Sequence, residues 1–186
     1  MRRRFVVLAF LVGMAVASCS RDSRSLPFSV IPQPSEVTLV GGGYDLKSSD
    51  LILSDNLDEK VKSAIAEFAE HLQTVAGGRN RVVSGEDGRG VVFLVDPSLG
   101  NEAYRLDITK NKAIVAANSY NGFIYALQTI GQMLPAEFYG RERASGVDFV
   151  IPCGTIKDAP RFSYRGVLID VGRHFYSVEE IKRCLD

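Results

Sequence analysis

The densest grouping of chemically able side chains is Asp170-Val-Gly-Arg173-His174, an acid, a guanidinium and an imidazole within one short stretch. A guanidinium offers a planar fork of donors that can reach two neighbouring hydroxyls at once. An acid and an imidazole beside it are read as support for the strand end, paired polar groups at a partly buried site. The other candidates are weaker. His71 sits at the edge of an apolar stripe with no second ligand or nucleophile at helical spacing, so it reads as an edge or solvent-facing residue. Cys153 and Cys184 show no metal-ligand spacing and are read as unpaired, packed thiols. Gly85, Gly88 and Gly90 precede a strand rather than a helix, which excludes a dinucleotide fingerprint. Neither a metal nor a cofactor is expected.

Strand, loop and helix must position that grouping. Val167 to Val171 is an apolar run broken only by Asp170, of the kind covered on both faces in a parallel sheet. Ser177-Val-Glu-Glu180 is a capping box, and Ile181 and Leu185 begin an apolar stripe behind it. Strand, short loop and helix form the opening unit of a barrel or layered α/β domain, whose working end lies at the strands' C-terminal tips. Arg173 and His174 fall at that end. Arg165 precedes the strand and falls at the opposite, structural end.

Upstream of this unit the chain reads as an exported α+β domain. Met1-Arg-Arg-Arg4 is a basic n-region, and Phe5 to Val16 is an apolar run too short to cross a bilayer as a helix. Val16-Ala-Ser-Cys19 follows, so residues 1–19 read as a signal peptide with a lipobox, Cys19 being lipidated and residues 20–27 forming a tether. Cleavage after the Ala15-Val-Ala17 triplet, without lipid, is the competing expectation. Residues 28–157 then alternate short strands with two helices. Glu36–Val40 and Tyr44–Leu46 are expected to form a hairpin around Gly41-Gly-Gly43, and Leu51–Leu53 a further strand. Val61, Ile65, Phe68, Leu72 and Val75 make one helical stripe, stopped by Gly77-Gly78. Val91–Val95 is a buried strand. Tyr104–Ile108 and Ala113–Ala117 pair across Lys110-Asn-Lys112. Phe123, Leu127, Ile130 and Leu134 form a second helical stripe, capped at Asn118 or Ser119 and ended by Pro135. Gly146–Ile151 is expected to pair once more before Pro152. The fold class is therefore α+β, a sheet with two helices on one face, followed by the first βα unit of an incomplete (β/α)8 barrel in residues 158–186.

The terminal residues carry a resemblance to a known family. Pro160-Arg-Phe-Ser-Tyr-Arg-Gly166, Asp170-Val-Gly-Arg-His-Phe175, then Ile181-Lys182 and Asp186, resemble the first strand and helix of the family 20 glycoside hydrolases, the β-N-acetylhexosaminidases. Asn121-Gly-Phe-Ile-Tyr-Ala-Leu-Gln-Thr129 with Leu134 resembles the second helix of that family's N-terminal domain, and Ile31-Pro-Gln-Pro34 its usual opening. The resemblance implies a retaining exo-hydrolase acting on glycans that end in N-acetylglucosamine or N-acetylgalactosamine. In such enzymes the substrate's own 2-acetamido group attacks the anomeric carbon, and an adjacent Asp–Glu pair orients that group and supplies the general acid. The resemblance also implies that Arg173 binds hydroxyls of the terminal sugar. Asp170 and His174 match the motif as supporting residues. The Asp–Glu pair is expected beyond residue 186. Asp58-Glu59 and Glu86-Asp87 follow no barrel strand and do not inherit its role. No catalytic residue is therefore expected in this chain, and the fragment alone is expected to be inactive.

Composition narrows the partners. Lysine plus arginine and aspartate plus glutamate each number 22, and setting aside the arginines of the n-region leaves a modest acidic excess. No basic stripe suits nucleic acid. The expected partners are a glycan and, through the N-terminal lipid, a membrane. The expected place is the cell envelope, in the periplasm or at the outer membrane and cell surface. A non-catalytic envelope lipoprotein, using the α+β domain as a binding or interaction module, is the other function class. An apolar barrel strand with an open edge counts against it, being an aggregation liability.

Overall fold

The computed structural model describes residues 28–185. The signal segment, Cys19, the tether and Asp186 lie outside the described residues.

Seven strands form one mixed sheet: β1 (Glu36–Asp45), β2 (Leu51–Leu53), β3 (Val82–Ser84), β4 (Val91–Val95), β5 (Tyr104–Ile108), β6 (Ala113–Ala117) and β7 (Val150–Asp158). Their order across the sheet is β1-β7-β5-β6-β4-β2-β3. The β1–β7, β7–β5 and β5–β6 pairs are antiparallel, whereas β6–β4, β4–β2 and β2–β3 are parallel. Parallel neighbours need crossovers, and the first long helix supplies the one between β2 and β3. Helix α1 (Glu59–Ala76) joins β2 to β3, and α2 (Tyr120–Met133) leads from β6 toward β7.

Local chemistry explains both helices. Asp58 caps α1 by accepting the Lys60 N–H at 2.8 Å, and Gly77, in the left-handed region at φ 65°, ends it by returning its N–H to the Gln73 carbonyl. Ser119 caps α2, which stops ahead of Pro135. The predicted stripes face inward: Val61, Ile65, Leu72 and Val75 from α1, and Phe123, Leu127 and Ile130 from α2 with Leu134 at its C-cap, are buried, while Phe68 is half-buried against the same core. The helices touch each other and share one face of the sheet.

The register lays two rows across the sheet. Val37, Ile156, Leu106, Val115, Phe93 and Leu53 lie side by side in the helix-facing core. The adjacent row, on the other face, runs Thr38, Thr155, Asp107, Ile114, Val92, Ile52. It is polar at one end, where Thr155 donates to Asp107 and Arg105 pairs with Asp107 and Asp96. At the other end the 85–90 loop closes over Ile52.

Two expectations for the sheet change. The Gly41-Gly-Gly43 hairpin is instead one strand: β1 runs from Glu36 to Asp45 with a bulge between Leu39 and Gly43, and pairs with β7 on both sides of it. The last strand begins at Val150 and passes straight through Pro152. Proline is tolerated because pairing with β5 begins only at Gly154, so its missing donor leaves no ladder bond unmade on that side. The short edge strand β3 carried no signal of its own.

Beyond β7 the chain leaves the sheet. Among the described residues, 167–171 pairs with no strand, and Val167 and Leu168 are 89% and 95% exposed. Extended apolar chain becomes a strand only when neighbours take its backbone bonds. The helix of the expected βα unit does form, as α3 (Val178–Leu185), with the capping box in place: Ser177 N–H and Oγ both reach Glu180 Oε2, at 2.7 and 2.9 Å.

Candidate functional site

The predicted ligand-binding residues form a small turn of their own. Asp170 Oδ1 accepts the N–H groups of Gly172 and Arg173, at 2.9 and 3.2 Å, and its Oδ2 lies 3.3 Å from Arg173 Nε. An aspartate that satisfies two backbone donors sets the direction in which the following residues leave the chain. Arg173's side chain is 92% exposed, so its other guanidinium nitrogens are open to a ligand. His174 stands edge-on to the Tyr176 ring, with centroids 5.1 Å apart. The structure thus joins Asp170 to Arg173, whereas His174 takes an aromatic partner. The expected partly buried setting is not formed around these residues, all three of which are exposed.

A second concave feature lies where the chain enters and leaves the sheet domain. It is an open cleft of about 500 Å³ between the leading segment Val30–Gln33 and the departing segment Asp158–Phe162, floored by Tyr104 and by α2 residues including Tyr125, Gln128 and Gln132. The leading segment is tied down by the Ile31 N–H donating to Gln132 Oε1 at 2.8 Å. Ser35 is tied to the departing chain, its N–H to Asp158 Oδ1 at 3.0 Å and its Oγ to the Lys157 carbonyl at 2.9 Å. At the floor Tyr104 and Thr129 hydroxyls meet at 2.6 Å, and burial pushes the Tyr104 hydroxyl up to about 12.

Arg165 closes one side of this cleft. Its Nη2 donates to Glu102 Oε1 at 2.6 Å and to the Tyr125 hydroxyl at 2.9 Å. Its Nη1 donates to Glu102 Oε2 at 3.3 Å and to the Phe162 carbonyl. The Tyr125 hydroxyl in turn donates to Glu102 Oε1 at 3.1 Å. Hydrogen bonding from Arg165 holds the Glu102 carboxyl below the usual carboxylate range. Nothing in the sequence marked Glu102, which the fold brings to Arg165 across 63 positions.

The remaining candidates take separate settings. His71 Nε2 lies 2.5 Å from the Phe138 carbonyl, and its ring stands edge-on to Phe138 at 5.0 Å. Cys153 is a buried free thiol, pushed up by burial. Cys184 is also free but exposed, not packed as expected. Among the described residues, no cluster of His, Cys, Asp and Glu is arranged to hold a metal ion.

Comparison with known proteins bears on both parts of the chain. Residues 28–159 match the family model described as glycosyl hydrolase family 20, domain 2, and residues 162–186 match that family's catalytic domain. The chain is 27% identical over 180 residues to the β-hexosaminidase of Vibrio furnissii, covering 93% of this chain and 27% of the relative. The solved family 20 β-N-acetylhexosaminidase of Streptomyces coelicolor A3(2) superposes with a TM-score of 0.73 at 29% identity, over 87% of this chain and 32% of that one. A mutant β-hexosaminidase of Streptomyces plicatus, solved in complex with its product N-acetylglucosamine, superposes at 0.72 and 28% identity, with the same coverage. The chain thus spans about a quarter to a third of the length of these relatives.

Proposed function

Because the chain belongs to glycosyl hydrolase family 20, we propose that it supplies the N-terminal domain and the opening of the catalytic domain to an exported β-N-acetylhexosaminidase. Such an enzyme removes terminal N-acetylglucosamine or N-acetylgalactosamine with retention of configuration. The single observation that carries this reading is the change of family match at the end of β7: one domain ends at residue 159 and the catalytic one begins at 162. The basic n-region and Cys19 support export and lipid attachment at the cell envelope.

In the proposed reaction the substrate's acetamido oxygen attacks the anomeric carbon as the glycosidic bond breaks toward a protonated leaving oxygen. Water then attacks the anomeric carbon from the face the leaving group vacated, breaking the bond to the oxazolinium oxygen and restoring the acetamido group. This chain's part is binding. Arg173 donates to hydroxyls of the terminal sugar, and Asp170 aims it by holding Nε and the backbone of the turn. The Asp–Glu pair that orients the acetamido group and protonates the leaving oxygen is not assigned to any residue of this chain. The exposed apolar side chains of Phe162, Tyr164, Val167 and Leu168 suit a segment that packs into a larger domain, and they weigh against a free-standing binding module.

The test is Arg173→Ala in an enzyme that joins residues 28–186 to the remaining catalytic domain of a family relative. Losing charge-assisted bonds to two hydroxyls is expected to lower kcat/KM by about a hundredfold. Arg173→Lys should recover only part, since an ammonium cannot span both hydroxyls in one plane. An unchanged kcat/KM in Arg173→Ala would remove the assignment.

A further inference from the structure

Arg165 lies within the segment that matches the catalytic domain, yet the groups it contacts across the chain all belong to the N-terminal domain. Glu102 is in the turn before β5, and Tyr125 lies on α2. Four features make their meeting with Arg165 more than a chance surface pair. The contact to the carboxylate is bidentate, at 2.6 and 3.3 Å, which fixes the plane of the guanidinium as well as its position. The carboxylate is itself held by the Tyr125 hydroxyl, so a second group besides the arginine fixes its rotamer. The guanidinium carbon lies 5.9 Å from the centre of the Tyr125 ring, close enough for a cation–π contribution. Finally, Arg165 also donates to the Phe162 carbonyl, folding its own linker back on itself, so the constraint acts on the backbone and not only on one flexible side chain. Ordinary exposed ion pairs have none of this reinforcement.

Only a few residues separate Arg165 from Asp170 and Arg173. Wherever the linker is pinned, the direction of the following segment is pinned with it. We propose that Arg165 is a positioning residue: it locks the linker onto a receptor formed by Glu102 and Tyr125, and so fixes the point from which the segment bearing Asp170, Arg173 and His174 departs. The lock itself stands on this geometry alone, whereas its value for sugar binding rests on the function proposed above. Two arginines in the same motif thus divide the work, one facing the ligand and one facing the neighbouring domain.

The test is limited proteolysis of the purified chain with a protease that cuts at aromatic residues, following cleavage after Phe162 and Tyr164 beside the thermal unfolding of the sheet domain. Arg165→Met, which keeps length and removes the fork, is expected to speed linker cleavage by about tenfold, with the unfolding midpoint of the sheet domain unchanged. Glu102→Gln should speed it by a similar factor. The double variant should be no faster than either single one, because both remove the same lock. Arg165→Lys should fall between the wild type and Arg165→Met, since a lysine keeps the charge to Glu102 but cannot also span the Tyr125 hydroxyl. Unchanged cleavage in Arg165→Met, additive effects in the double variant, or a drop in the midpoint that accounts for the faster cleavage would each overturn the lock. None of these outcomes touches the family reading. Conversely, an inactive joined enzyme would remove the function while leaving a cleavage-sensitive Arg165→Met as evidence for the lock.

Discussion

Phe93→Ala is expected to cost the sheet domain about 3–5 kcal/mol, a large share of the total stability of a domain this size. Phe93 is wholly buried and sits in β4 between Val115 and Leu53 in the helix-facing row. It is among the largest fully buried side chains and belongs to the central cluster. Two parallel neighbours hold β4 on both sides, so the backbone cannot collapse into the space the ring leaves, and most of the cavity term persists. Urea unfolding followed by circular dichroism reads the loss directly, and the thermal midpoint should fall by roughly 10–20 °C. A loss below about 1 kcal/mol would mean that the ring is not the keystone of this row.

Gly154→Val is the second large effect and acts through backbone rather than core volume. A Cβ at Gly154 would lie 2.3 Å from the Thr38 carbonyl oxygen and 2.9 Å from Leu39 Cα, both main-chain atoms of β1. The residue also holds φ at 157°, which a β-branched side chain resists. β1 cannot retreat without breaking its ladder to β7, and on the other side Gly154 is paired with Ile108 of β5. Clash and backbone strain together should cost about 3 kcal/mol or more. Hydrogen exchange should show the loss first in β1, as faster exchange of its amides, with α1 and β4 less affected. Equal exchange in the variant and the parent would show that β1 can shift to admit the side chain.

These two positions also show what could be read from the sequence and what could not. Helical stripes, caps and the β5–β6 hairpin depend on neighbours three to seven positions apart, and these were legible: Gly77 and Ser119 do what their types suggest. The course of β1 was not legible. Three consecutive glycines look like a hairpin turn, but β7, more than a hundred residues later, offers a partner on both sides of them, and pairing turns the glycines into a bulge. Pro152 looked like a strand end for the same reason, because only the sheet order shows that β5 does not reach it. The site divides similarly. Arg173 with Asp170 could be recognised from a contiguous motif, whereas Glu102 became visible only when folding carried it to Arg165. The exposed run at 167–171 is legible as a strand by composition, yet a strand is a property of its neighbours as well as of itself.

The most direct measurement of the central claim is release of 4-nitrophenol from 4-nitrophenyl N-acetyl-β-D-glucosaminide, by the purified 186-residue chain and by the enzyme that joins residues 28–186 to the rest of a family relative's catalytic domain. If this chain brings the sugar-binding arginine and the N-terminal domain but not the acid pair, the joined enzyme turns the substrate over and the 186-residue chain releases nothing above buffer. Turnover that travels with the clean 186-residue chain, or a folded joined enzyme that releases nothing, would contradict it.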